Sequence, residues 1–111
     1  MNVTQTKIQQ FVDEAVRRIV ARFHPERIIL FGSCARGTPT QNSDIDVLVV
    51  MPVERSNRKK ASEIDLALAD RTVSMDIIVV TPEQFDRQRD MMGTVVREAA
   101  HEGKVLYERA A

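Results

Sequence analysis

The sequence predicts an α/β (α+β) fold, a small mixed β-sheet flanked by helices, and three observations carry that expectation. Short apolar runs rich in β-branched residues recur at Arg27–Phe31, Ile45–Met51 and Val73–Val80. Between them stand stretches whose apolar residues repeat at helical spacing. The 111 residues contain no repeat, low-complexity tract or linker, so one domain, 1–111, with a modest core is expected.

In chain order, Ile8, Phe11, Val12, Ala15, Ile19, Val20 and Phe23 make an amphipathic first helix, with Thr6 and Gln9 as a capping box and Pro25 beyond its end. Arg27 to Phe31 is the first strand and breaks at Gly32-Ser33, and Ser33 to Thr38 forms a short turn or helix. Ile45 to Met51 is the second strand, closed by Pro52. A second helix runs from Asn57 to Ala69, with Ala61, Ile64 and Leu68 on one face. Val73 to Val80 is the third strand. Thr81-Pro82-Glu83-Gln84 then supplies an N-cap, a first-turn proline and a capping-box glutamine. One more helix, about Met91 to Glu102, stops at Gly103, and Lys104 to Tyr107 forms a short closing strand.

Composition restricts the function classes. Sixteen basic residues balance sixteen acidic ones, which argues against a general nucleic-acid surface. The lone cysteine, Cys34, excludes an intramolecular disulfide framework and fits a reducing, cytoplasmic setting. No signal peptide or membrane span is expected, because Asp13, Glu14, Arg17 and Arg18 interrupt the first apolar stripe. The chain is small for an enzyme that must also bury a large acceptor, so a partner is expected to contribute the acceptor surface.

Asp44 and Asp46 carry the strongest chemical signal. They begin the second apolar run, and the period of two puts both carboxylates on one face while Ile45 and Val47 point into a core. Like charges held that close repel unless a cation binds between them, and a hard divalent ion, Mg²⁺ or Mn²⁺, suits oxygen ligands. Upstream, with ten residues intervening before Asp44, stand Gly32 and Ser33: Gly32 lets the backbone turn and approach a ligand, and the Ser33 hydroxyl and neighbouring amides can donate to phosphate oxygens. A two-metal displacement calls for a third carboxylate. Asp76, the only charge between Thr72 and Val80, supplies it.

Rival readings of these letters fail on particular residues. Gly32 to Thr38 has the glycine spacing of a Walker A loop, but Thr38 stands where lysine belongs. An Asp-x-Asp pair also opens the haloacid-dehalogenase phosphatase site, but there an apolar strand precedes the aspartates, whereas here Thr40-Gln41-Asn42-Ser43 does. An EF-hand loop would place Leu48 and Val49 where a ligand and a glycine are required.

Phe31-Gly32-Ser33, ten residues, Asp44-Ile45-Asp46 and the later lone Asp76 resemble the minimal nucleotidyltransferases of the DNA polymerase beta superfamily. The resemblance covers nearly the whole chain and implies their fold. It further implies Mg²⁺-dependent transfer of a nucleoside monophosphate, usually AMP from ATP, to an acceptor hydroxyl with loss of pyrophosphate. Asp44, Asp46 and Asp76 then hold two metal ions, Gly32 and Ser33 hold the phosphates, and Asp76 is placed to take the acceptor's proton. Many members pair as antitoxin with a HEPN-domain toxin, and some modify a tyrosine of that partner. Two alternatives stand beside this: a small-molecule nucleotidyltransferase of the aminoglycoside type, for which Glu54, Glu63, Asp65 and Asp70 are available, and an antitoxin that acts by binding alone.

Other residues carry two readings each. Arg36 could reach a phosphate oxygen or make a surface salt bridge, and Ser43 could support the nucleotide site or serve as turn chemistry before the strand. His24 and His101 lie near helix ends. Arg55, Arg58, Lys59 and Lys60 read as a solvated helix face ahead of an attractor for a nucleotide or acidic partner, Met91-Met92 as core packing ahead of a partner surface, and Tyr107 as packing on the last strand ahead of a target of self-modification.

Overall fold

The structure, a computed structural model, describes residues 3–32, 35, 45–70 and 73–110. Helix α1 spans Val3–Phe23, strand β1 Arg27–Phe31, β2 Ile45–Val50, helix α2 Asn57–Ala67, β3 Met75–Val80, α3 Pro82–Gln88, α4 Val95–Glu102 and β4 Lys104–Glu108. The strands form one mixed sheet in the order β3-β2-β1-β4. β1 runs antiparallel to both β2 and β4, whereas β2 and β3 are parallel. A parallel pair cannot be joined by a tight turn, and α2 provides the crossover.

Alternation along the strands divides the core between the two faces of the sheet. Ile28, Leu30, Ile45, Val47, Val49, Met75 and Val79 pack with Val12, Ala15 and Ile19 of α1 and with Ile64 and Leu68 on α2's side. Ile29, Phe31, Leu48, Val50 and Val80 pack on the other side with Phe85 of α3 and Val96 and Ala99 of α4. The result is three layers, with β1 and β2 buried between helices.

The helix termini follow from local chemistry. Chain reversal after α1 places His24 in the left-handed region (φ 51°), directly before Pro25, and its amide still donates to the Val20 carbonyl at 3.2 Å. Ser56 caps α2 by accepting from the Lys59 amide. At α3 the expected capping box is present in full: Thr81 accepts from the Gln84 amide at 3.2 Å, and the Gln84 side chain accepts from the Thr81 amide at 2.9 Å. The same Gln84 oxygen accepts from Asn57 Nδ2 at 2.7 Å, which ties the start of α3 to the start of α2.

Three expectations about elements need correction. Thr6 and Gln9 are not at the start of α1, because the helix already runs from Val3. The last helix begins at Val95 instead of Met91: Gly93 at φ +86° breaks helical geometry, and Thr94 caps the new start by accepting from the Arg97 amide at 3.1 Å. Met91 and Met92 consequently lie in a turn and are 47% and 80% exposed, so they are not core residues. The expected turn or helix from Ser33 to Thr38 lies, apart from Ala35, outside the described residues.

Candidate active site

The carboxylates are organised by sheet register. β2 enters the sheet with Ile45 buried in the core beneath α1 and α2, which turns the next residue, Asp46, to the opposite face. Asp46 is level with Asp76 across the parallel β2–β3 pair and with Phe31 across the antiparallel β1–β2 pair. Parallel neighbours in register present their side chains to the same face, and adjacent strands are about 4.8 Å apart. Asp46 and Asp76 therefore stand abreast at one end of the sheet, on the side covered by α3 and α4. Asp46 is half-buried and Asp76 exposed.

Gly32 completes this group. It follows the last residue of β1 at φ +79°, a conformation that disfavours any side chain, and a Cβ built there would collide with Oδ2 of Asp46. The β1 backbone is thus brought against the carboxylate, and only glycine permits the approach. The chain leaves this point for the segment expected to hold phosphate. Of the other expected site residues, Ser33, Arg36, Ser43 and Asp44 lie outside the described residues, as does Cys34. Among the described residues no group of three His, Cys, Asp or Glu side chains is placed to hold a metal ion. The two described acids offer only oxygen donors from a crowded anionic pair, a donor set that fits a hard divalent cation.

Several charges elsewhere are engaged away from this end. Glu63 pairs with Lys60 at 2.9 Å, and that hydrogen bond holds its carboxyl below the usual range. Asp70 accepts from Arg18 at 2.6 Å and is lowered in the same way, while Arg18 is raised in turn by Asp70 and then Glu14. These pairs decorate α1 and α2, on the sheet side opposite Asp46. His101 stands 2.8 Å from Asp90, and Tyr107 packs half-buried against the α1–α2 core. An open groove of about 650 Å³ lies at the other end of the strands, lined by Arg27, Val50, Phe85 and Arg109, with no part in the carboxylate end. Glu98 and Glu102 of α4 carry no signal in the sequence beyond their i,i+4 spacing.

Residues 12–107 match the model of the nucleotidyltransferase domain. The chain belongs to that family. This nucleotidyltransferase is 35% identical over 103 residues to a Methanocaldococcus jannaschii protein carrying the name protein adenylyltransferase, with 90% of this chain and 94% of the relative covered. Its fold matches the crystal structure of a nucleotidyltransferase from Sulfolobus solfataricus with a TM-score of 0.67 at 22% identity, covering 96% of this chain and 85% of that one. A crystallised toxin–antitoxin complex with AMP-PNP gives a TM-score of 0.53 at 22% identity, over 87% and 73% of the two chains. A mutant of the toxin–antitoxin pair MntA-HpeT gives 0.57 at 23% identity, over 88% and 72%. The fold expected from the sequence, a mixed sheet flanked by helices in the nucleotidyltransferase arrangement, is the one observed. Among the described residues no helix is long and apolar enough to cross a membrane.

Proposed function

We propose that this nucleotidyltransferase moves AMP from ATP to a hydroxyl of a protein partner, with Asp44, Asp46 and Asp76 at the reaction centre. The observation that carries the reading is the placement of Asp46 and Asp76 abreast on one face with Gly32 against Asp46. Support for a protein acceptor comes from the relative named protein adenylyltransferase and from the surface charges. Glu63 and Asp70, two of the four acids available to a cationic small acceptor, are engaged in ion pairs on the opposite side of the sheet. The toxin–antitoxin complexes with this fold support an antitoxin role, and a HEPN-type toxin with a modifiable tyrosine is the partner this reading names.

In this mechanism the amides following Gly32, together with Ser33, Arg36 and Ser43, orient the triphosphate. Mg²⁺ held by the three aspartates would offset the triphosphate charge and lower the pKa of the acceptor hydroxyl. Asp76, the more exposed acid, takes the hydroxyl proton. The acceptor oxygen bonds to the α-phosphorus, the bond from that phosphorus to the bridging oxygen breaks, and pyrophosphate leaves with the electron pair. The chain contributes position and a fixed anionic frame.

The test is transfer of label from ATP marked at the α-phosphate onto the co-expressed HEPN-type partner, with Asp44→Asn/Asp46→Asn as control. Label that disappears in the variant supports the reading. A tight complex without label points to neutralisation by binding alone, and label retained by the double variant refutes the site.

A further inference from the structure

We infer that Met91, Met92, Val95 and the adjoining stripe of α4 dock a cationic amphipathic helix of the protein that receives the nucleotide. The inference deepens the protein-acceptor reading above and rests on it.

The apolar side chains are held outward by the backbone. Met91, Met92 and Val95 are 47%, 80% and 45% exposed within five residues of sequence. The Met91 amide donates to the Gln88 carbonyl at 2.9 Å, the Thr94 hydroxyl donates to the Met91 carbonyl at 2.8 Å, and the same hydroxyl caps α4 at Arg97. Gly93 supplies the positive φ that the turn needs, with open space around it. This turn is ordered by hydrogen bonds, so exposing two methionines is a property of its geometry. Unbranched, polarizable methionine is suited to contact with a partner's apolar face.

Charge tells what kind of partner fits. Val95, Glu98 and Glu102 fall at i, i+3 and i+7 on one stripe of α4, and with Gly93, Thr94 and Arg97 they line a shallow groove of about 320 Å³. Glu98 and Glu102 are like charges one turn apart, which disfavours the helix, and Glu102 lies in the last turn, where the helix dipole disfavours an anion. Neither makes an ion pair with another described residue. Both costs vanish when cations are seated on the stripe. Apolar anchors beside acids at helical spacing are matched by a helix with the complementary pattern.

Location links the surface to the chemistry. Val96 and Ala99 fix α4 to the sheet face that also carries Asp46 and Asp76, so a partner docked on α4 lies on the carboxylate side of the molecule.

The experiment uses fluorescence anisotropy of two synthetic amphipathic helices, one Leu/Lys and one Leu/Glu, against the full chain without ATP. The Leu/Lys peptide is expected to bind roughly tenfold more tightly than the Leu/Glu peptide. Glu98→Lys/Glu102→Lys is expected to reverse the preference, and Met92→Ser/Val95→Ser to weaken both peptides. These side chains are at the surface, and circular dichroism checks that each variant is folded. Equal affinities, a preference unchanged by the charge swap, or indifference to the serine variant would overturn the docking surface. Because binding is read without nucleotide, that failure is separate from an absence of label on the partner with the unaltered protein in the preceding experiment, which overturns the acceptor reading alone.

Discussion

Gly32→Ala tests the closest packed feature of the carboxylate end, and its cost separates into two parts. At φ +79° an alanine incurs the left-handed penalty, about 1–2 kcal/mol. Its methyl group also meets the Asp46 carboxylate, and overpacking of this kind costs about 1–3 kcal/mol. The variant should therefore lose about 2–5 kcal/mol in total. Reduced freedom of the unfolded chain returns about 0.4–1 kcal/mol. Asp46→Ala removes the group that the methyl meets but leaves φ unchanged, so in that background only the backbone part remains. Urea unfolding of wild type, both single variants and the double variant forms a cycle in which the backbone and unfolded-state contributions cancel. The expected coupling is about 1–3 kcal/mol, the overpacking part alone. A coupling under about 0.5 kcal/mol, with unchanged m-values, would refute the argument that Gly32 is glycine because Asp46 is beside it.

Asp76→Asn relieves two adjacent carboxylates and should raise the stability of the divalent-free protein by about 0.2–1 kcal/mol while removing transfer; a loss of stability in urea would contradict that placement. Thr81→Ala removes the N-cap of α3 and should cost about 0.5–2 kcal/mol, read as a lower urea midpoint. Asp70 is held below its ordinary pKa by its hydrogen bond to Arg18, so its contribution is full above the unfolded value and is lost as pH falls through the folded one. Wild type should thus exceed Asp70→Asn in melting temperature at neutral pH and converge with it in acid; a gap that persists in acid would refute the linkage.

Much of the fold was legible because each helix and strand carries its own local signal. The Thr81-Pro82-Glu83-Gln84 box marks the start of α3 to the residue, and the apolar run Arg27–Phe31 coincides with β1. The start of α4 was not legible from apolar spacing, since Met91 and Met92 continue a helical pattern that Gly93 interrupts. There a single backbone conformation overrides propensity. Strand alternation predicted that Asp46 would face away from the core of Ile45 and Val47. That Asp76 stands level with Asp46 could not be read from either strand alone. Their alignment depends on β3 pairing in parallel with β2, a tertiary fact set by the α2 crossover.

The β1–β4 pairing shifts register between Ile28 and Ile29, which bears on behaviour at high concentration. Ile28 faces Tyr107 and Ile29 faces Val105, which leaves Leu106 as an extra residue with no opposite number on β1. Leu106 and Tyr107 both turn toward the α1–α2 core, so alternation is lost on the outermost strand, and Lys104 and Glu108 stand charged at its two ends. An incoming strand needs a straight ladder with side chains alternating across the faces. The β4 rim offers neither, and stacking of molecules edge to edge through it, the first step toward fibrillar aggregates, is blocked at the cost of one inserted residue.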